Sequence, residues 1–288
     1  MTSVSVVIPV YNRAHSICRA VDSALAQGEG ASAVNVIVVD DGSSDNLEAA
    51  LAPYEDRVRL LRHQSNAGAA AARNTGVMAA TDEFVAFLDS DDMWLPGKLA
   101  TQLAAMRDQG WRASCTSYLL CRDGKKPLVS PQYESGPLGL DDLVWGCFVS
   151  PGTTLVFERA VFAEIGPFFT ELARLEDWDW LLRFCSRYPL GFVAEPLAQI
   201  TASSFSDATK LLPAIELLRT RHLPNLPQRL RRYLAAALDM EKAAALYRAG
   251  SRFGAMLPLV SSLGRVPVGH KAIAAVLYNR WGSGFTPP

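Results

Sequence analysis

Hydrophobic residues in the first hundred positions come in short β-branched blocks separated by alanine-rich stretches. Runs at Ser5–Pro9, Val34–Val39, Val58–Leu61 and Phe84–Leu88 are nearly continuous rather than alternating, the pattern of strands covered on both faces. Between them, Ala14–Ala26, Asn46–Leu51 and Ala69–Ala79 read as helices. Strand and helix alternating at this spacing predict an α/β fold, a mostly parallel sheet flanked by helices. Such a sheet presents functional residues at the carboxyl ends of its strands.

Beyond about residue 97 the pattern loosens. Lys98–Asp108 predicts a helix, Ala113–Cys121 a strand and Asp123-Gly124 a turn. Thr153–Phe157 reads as a strand, Glu158–Ile165 as a helix stopped by Gly166-Pro167, and Trp178–Arg187 as a further helix. From about residue 205 only helical patterning remains, broken at Pro213, Pro224, Pro227, Pro258 and Pro267. The expected division is a catalytic α/β domain over 1–204 and a helical C-terminal extension over 205–288.

Composition narrows the classes. With 288 residues, 49% hydrophobic and 20% charged, the chain is globular rather than disordered, collagen-like or coiled coil. No uncharged apolar run approaches the ~18 residues of a membrane-spanning helix. Val4–Val10 lacks a basic lead-in and reads as a first strand rather than a secretion signal. Five scattered cysteines, Cys18, Cys115, Cys121, Cys147 and Cys185, predict neither a disulfide framework nor a zinc site and fit a reducing cytoplasm. Cys115 and Cys121 read as core thiols of a strand before they read as a redox pair.

Charge is asymmetric. Residues 1–204 hold 16 Lys+Arg against 25 Asp+Glu, a net of −9, while residues 205–288 hold 12 against 4, a net of +8. An acidic body argues against nucleic-acid binding, and a basic tail predicts an anionic contact such as a membrane surface or a phosphate-bearing acceptor. Within the tail, Phe253 to Tyr278 mixes Leu257, Val260, Leu263 and Ile273 with Arg252, Arg265 and Lys271. A basic amphipathic stretch of this kind can lie on a membrane face, dock on its own domain or meet a second subunit in a homodimer.

The chemistry concentrates where strands end. Val34–Val39 runs into Asp40-Asp41-Gly42-Ser43-Ser44-Asp45, and Phe84–Leu88 into Asp89-Ser90-Asp91-Asp92. Acidic groups emerging from a buried strand are costly unless something cationic or hydrogen-bonding receives them, although Asp-Gly alone is ordinary turn chemistry. Carboxylates crowded at Asp89, Asp91 and Asp92 repel one another, and a hard divalent cation relieves that repulsion. Mg2+ or Mn2+ takes one or two carboxylates and completes its shell with water and substrate phosphates. Between the clusters, Asn66-Ala67-Gly68 opens an alanine-rich helix carrying Arg73, a small-residue loop that lets backbone approach a ligand. G-x-x-x-x-G-K-[ST] and G-x-G-x-x-G are absent, which disfavours P-loop and dinucleotide enzymes.

Taken in order, these motifs resemble the family 2 glycosyltransferases of the GT-A fold. The matching residues are Val6 to Asn12, Val38 to Asp45, Asn66-Ala67-Gly68 with Ala72 to Gly76, Phe87 to Asp92, Gly166-Pro167-Phe168 and Glu176-Asp177-Trp178-Asp179-Trp180. They cover about residues 3–190 and leave the basic tail outside. The resemblance implies a nucleotide pocket at Pro9 and Tyr11, with Asp41 and Asp40 toward the base and Asn66 and Arg73 on the nucleotide. Asp89-Ser90-Asp91 matches the family's Asp-x-Asp signature, which puts Asp89 against the ribose or sugar. Asp91 and Asp92 compete as metal ligand, and Asp177, with Glu176 beside it, matches the catalytic-base motif.

The chemistry calls for the same roles. Sugar transfer leaves a diphosphate with extra negative charge, which a bound metal stabilises as a Lewis acid. The acceptor hydroxyl needs a carboxylate within hydrogen-bond reach to take its proton. A base opposite the leaving group inverts the anomeric centre. Asp177, expected at the start of a helix, also fits a capping role. The implied reaction is metal-dependent inverting transfer from a nucleotide-diphospho-sugar, a UDP-sugar by resemblance, to a saccharide or lipid-linked saccharide in envelope polysaccharide or glycolipid synthesis. The rivals are a nucleotidyltransferase and a non-catalytic nucleotide-sugar-binding subunit. Trp94, Trp145, Trp178 and Trp180 are candidate sugar platforms or core aromatics; His222 is a candidate neighbour of the metal or diphosphate. Leu197 to Ser204 stands where the family often has an Arg/His-containing loop, with Lys210, Arg219 or Arg221 as substitutes.

Overall fold

The computed structural model describes residues 2–28, 32–122, 125–202 and 207–265. The Asp123-Gly124 turn, Pro267 and the tail from Val266 to Tyr278 lie outside the described residues. In chain order the elements are β1 (Thr2–Val10), α1 (Ile17–Leu25), β2 (Ser32–Asp40), α2 (Leu47–Leu51), β3 (Val58–Arg62), α3 (Ala69–Ala79), β4 (Phe84–Phe87) and β5 (Met93–Trp94). Then follow α4 (Lys98–Gln109), β6 (Ala113–Cys121), β7 (Leu128–Ser130), β8 (Gly136–Leu138), α5 (Leu140–Leu143), α6 (Pro151–Thr154), β9 (Val156–Glu158) and α7 (Arg159–Ile165). The last are α8 (Glu176–Cys185), β10 (Leu190–Thr201), α9 (Ala208–His222), α10 (Gln228–Arg248) and α11 (Arg252–Arg265).

The backbone divides into two compact units. The first comprises Met1–Leu138, Val149–Thr170 and Arg183–Ala202; the second comprises Gly139–Phe148, Glu171–Leu182 and Ser203–Pro288. One sheet organises the first unit, in the order β3-β2-β1-β4-β9-β6-β10-β5, with β7 on β6 and β8 on β10. Pairing is parallel from β3 through β4, as the βα alternation requires. β9 is antiparallel to both its neighbours, β4 and β6, so the sheet is mixed in its later half.

β1 shows why the β-branched runs are continuous. Val4, Val6, Ile8 and Val10 join Ile17, Ala20, Val21 and Ala24 of α1 in one buried cluster. Val7, on the other face, meets α3 so closely that a Cβ on Gly76 would lie 2.2 Å from Val7 Cγ1. Both faces of the strand are covered, and each such side chain contributes roughly 1.5–3 kcal/mol by burial.

The later elements correct the sequence reading. Thr153 and Thr154 are not in a strand: Pro151 opens a helical turn after Ser150 at φ 48°, and only Val156–Glu158 pairs. Leu197–Thr201 is not a loop but the end of β10, a strand hidden in the sequence by Pro196. The register of β10 against β6 slips on either side of that proline, which has no amide proton to give the ladder. Pro213 and Pro258 lie inside α9 and α11 rather than ending them; each forfeits one ladder bond. In the second unit α10 buries Leu230, Leu234, Leu238 and a run of alanines, and Asp239 receives Arg219 Nη2 at 2.6 Å and Ser261 Oγ at 2.7 Å. Among the described residues no helix is long and apolar enough to cross a membrane.

Candidate active site

The acidic runs sit where the sheet predicts, at the carboxyl ends of β2 and β4, the two strands that flank β1. Val10 is in register with Asp40, and the Asp41 amide donates to Val10 O at 2.8 Å. The two carboxylates do different things. Asp40 is buried, accepting from Ser43 N at 2.8 Å and pairing with Arg62 Nε at 3.1 Å. Asp41 accepts from Ala67 N at 2.9 Å and Gly68 N at 2.8 Å, and meets His63 Nδ1 at 2.7 Å. It therefore fixes the small-residue loop that opens α3. Gly42 makes the approach possible: at φ 77°, a Cβ there would fall 2.7 Å from Ser65 C. Asn66, next to the fixed loop, is exposed.

The loop after β1 is tied to the loop after β2. Asn12 N donates to Ser43 Oγ at 2.9 Å, and Ser44 N to Asn12 Oδ1 at 2.8 Å. Pro9 is half-buried and Tyr11 exposed, so Tyr11 presents an aromatic ring beside this double latch.

Arg73 projects from α3 with its guanidinium almost wholly buried and donates Nη2 to Asp89 Oδ1 at 2.8 Å. A Cβ on Gly152 would come within 2.6 Å of Asp89 Oδ2 and 2.7 Å of Arg73 Nη2. The absence of a side chain at 152 is what leaves room for this pair. Asp91 is partly exposed, its Oδ2 3.4 Å from Arg13 Nη2. Asp92 is buried; Thr153 Oγ1 donates to its Oδ2, and Thr201 N to its Oδ1 at 2.9 Å. Burial first, and the charge of Asp89 second, push the Asp92 carboxyl up to about 7.

Behind this acidic loop is a buried polar support. Trp94 Nε1 donates to Thr153 O at 2.7 Å. Fully buried Lys98 donates Nζ to Gln102 Oε1 at 2.5 Å, and Gln102 Nε2 donates to Thr154 O at 3.1 Å. Thr153, Gly152 and Thr201 organise the acids, and the sequence reading missed all three. Of these, only the glycine beside two threonines after a Ser-Pro turn start left any local trace.

The metal question reduces to donor chemistry. Both oxygens of Asp92 are engaged by threonines, whereas Asp91 is partly exposed, with its Oδ2 facing the Arg13 guanidinium. Among the described residues no three His, Cys, Asp or Glu side chains converge as a protein cage. The set fits a cation that takes one or two carboxylates and relies on phosphate and water for the rest.

Glu176 and Asp177 open α8 in the second unit, both half-buried. Leu175 before them has φ 64°, a costly conformation for a branched side chain. Asp177 Oδ1 accepts from Trp178 N at 2.7 Å, and Cys147 Sγ lies 3.8 Å from Oδ2. The carboxylate thus does serve an orphan amide of the first turn, from inside the helix rather than from a cap. Asp179, fully buried, meets His222 Nε2 at 2.8 Å. His222 is accordingly a half-buried partner of Asp179 within the second unit.

Several candidates are consumed by packing. Trp94, Trp145, Trp178 and Trp180 are all buried; Trp178 Nε1 donates to Leu143 O at 2.7 Å, and Trp145 stacks on Tyr233 at 4.5 Å between centroids. Arg219 is held by Asp239, and Arg221 lies 3.9 Å from Glu171. None of the five cysteines is in a disulfide.

A family model described as glycosyl transferase family 2 matches residues 5–166. A Rickettsia conorii protein described as an uncharacterized glycosyltransferase is 38% identical over 73% of this chain and 35% of its own length. The chain thus spans about a third of the first curated relatives it matches. A UDP-Glc:alpha-D-GlcNAc-diphosphoundecaprenol beta-1,3-glucosyltransferase, WfgD of Escherichia coli, is 40% identical over 62% of this chain and 68% of its own. Among solved structures, S. aureus TarS in complex with UDP-GlcNAc superposes with a TM-score of 0.70 at 19% identity, covering 96% of this chain and 84% of that one. A Pyrobaculum calidifontis mannosyltransferase in complex with GDP-Man and Mn2+ gives 0.60 at 17% identity, covering 96% and 79%. These structural likenesses establish a GT-A fold.

Proposed function

Because the chain belongs to glycosyl transferase family 2, we propose that it moves a glycosyl group from a nucleoside-diphosphate sugar to an acceptor hydroxyl, inverting the anomeric centre. The observation that carries this is the gathering of the Asp41-held loop, the Arg73–Asp89 pair and the partly exposed Asp91 carboxylate at the ends of β1, β2 and β4. Tyr11 and Pro9 supply a wall for the base. Asp41 Oδ2, bonded to Gly68 N, retains a lone-pair direction for a base N–H. Asn66 and Arg73 face the nucleotide, and Asp89, oriented by Arg73, takes a sugar or ribose hydroxyl.

Mg2+ or Mn2+ bound at Asp91 supplies Lewis-acid stabilisation of the departing diphosphate. Asp92, with its oxygens filled, positions the loop instead of ligating. Asp177 accepts the proton of the acceptor hydroxyl as the new C–O bond forms. The anomeric C–O bond to the diphosphate breaks with its electron pair going to the diphosphate. Glu176 sets the acceptor beside that base.

UDP is the favoured nucleotide, since both the glucosyltransferase relative and the TarS complex are described with uridine donors. The acceptor is a saccharide or lipid-linked saccharide of an envelope polysaccharide, met at the cytoplasmic face of a membrane through the basic tail.

Titration calorimetry with UDP, with and without Mn2+, tests the donor site. Asp91→Ala is expected to remove the Mn2+-assisted part of binding. Asp177→Asn is expected to keep UDP binding while transfer falls by ~10^2–10^4; loss of UDP binding in that variant would make its role structural. Product analysis showing pyrophosphate instead of free nucleoside diphosphate would replace this reading with nucleotidyl transfer.

A further inference from the structure

The last described helix is amphipathic in the inverted sense. α11 buries Ala255 and Ser262, with Ser262 Oγ donating to Ala236 O of α10 at 2.8 Å. Its large apolar residues point the other way: Phe253 is 90% exposed, Leu257 78%, Val260 64%, Met256 58% and Leu263 47%. At 100° per residue these five positions make one stripe about 120° wide, the width that on an ordinary surface helix faces the core. Scattered exposed leucines need no explanation, but a continuous stripe does.

Charge selects the occupant. No Asp or Glu follows Glu241 in the chain, whereas Lys242, Arg248, Arg252, Arg265, Lys271 and Arg280 do. A second copy would bring the same basic helix against this one, and residues 266–288 are themselves basic. Either occupant sets like charge against like. An anionic, laterally extended apolar surface meets neither objection, because the rings and branched chains enter its acyl margin while exposed Arg252, at the edge of the stripe, meets its phosphates.

We propose that the Phe253–Met256–Leu257–Val260–Leu263 face of α11 is an interfacial anchor that seats in the headgroup layer of an anionic lipid bilayer. The inference rests on the lipid-linked reading of the acceptor for its purpose, since it would hold the enzyme where such an acceptor is embedded.

The test uses the full chain in flotation assays. One set of vesicles is phosphatidylcholine alone, the other phosphatidylcholine with roughly one third phosphatidylglycerol. Strong flotation is expected only with the anionic vesicles, weakening as salt is raised. Phe253→Asp with Leu257→Asp is expected to reduce bound protein by about tenfold or more, with an unchanged thermal midpoint because both side chains are outside the packed face. Arg252→Glu is expected to reduce it less. Equal flotation of wild type and double variant, or none with either vesicle, overturns the proposal. So does a double variant whose only change is dissociation of a dimer by light scattering, which would assign the face to a second copy. UDP calorimetry on the same samples separates the two readings. Nucleotide uptake without flotation sinks only the anchor, and flotation without nucleotide uptake sinks only the glycosyl-transfer reading.

Discussion

Lys98 carries an ammonium-bearing side chain into the interior without a carboxylate to receive it. Its Nζ reaches Gln102 Oε1 and Thr154 O and lies 4.3 Å from the centroid of the Trp94 ring. Burial pulls its pKa down from 10.5 to about 7. Between those values the unfolded chain holds a proton that the folded protein has released, so stability rises with pH across that window and is flat below it. Urea unfolding is expected to show a rising midpoint from about pH 7 to about pH 9.5, a rise that Lys98→Met removes. Parallel profiles for the two proteins would contradict this. At this scale the sequence was partly readable. Asp40, Asp41, Arg73, Asp89 and Asp91 stand out because charges following apolar runs demand partners. Thr153 and Thr201 do not, because a threonine that donates to a buried carboxylate looks like any other threonine until the fold sets it there.

At the scale of elements, strained backbone falls beside the chemistry. The non-glycine residues with positive φ among those described are Asn12, Ser150 and Leu175. They stand after β1, before the turn that carries Gly152, and before Glu176-Asp177. Such strain persists only where surrounding bonds over-determine the loop, as the Asn12–Ser43–Ser44 latch does. The fit of α3 on β1 is equally tight. Gly76→Leu, whose Cβ would collide with Val7, is expected to destabilise the protein by about 1–3 kcal/mol, read as a fall of several degrees in Tm. An unchanged Tm would show that the helix can shift away from the strand. The βα half was legible because β1, β2 and β4 are nearly continuous apolar runs; β3, expected to be covered on both faces, is an edge strand with Arg59 and Leu60 exposed. β10 was not, because Pro196 divides it, and α6 was not, because two threonines after a proline carry equal marks of strand and turn.

For the molecule as a whole, the tail is more than an appendage. The second unit joins Gly139–Phe148 and Glu171–Leu182 to the chain beyond residue 203, and within it His222 meets fully buried Asp179, two residues after Asp177. Deleting residues 205–288 is expected to abolish transfer, because it strips the partner of Asp179 and the helices that share a unit with the first turns of α8. UDP uptake by the sheet-bearing unit should survive. Transfer by the truncated protein would show that Asp177 needs none of this support.

The sequence by itself determined the parallel βα half, the acidic strand ends and the charge split, since hydrophobic period and charge placement act locally along the chain. Only the tertiary structure decided which carboxylates are buried and which reach solvent, which tryptophans are core, and that α11 turns its apolar stripe outward. Those outcomes depend on which distant amide, hydroxyl or helix arrives beside a residue, and a linear order of side chains does not contain that information.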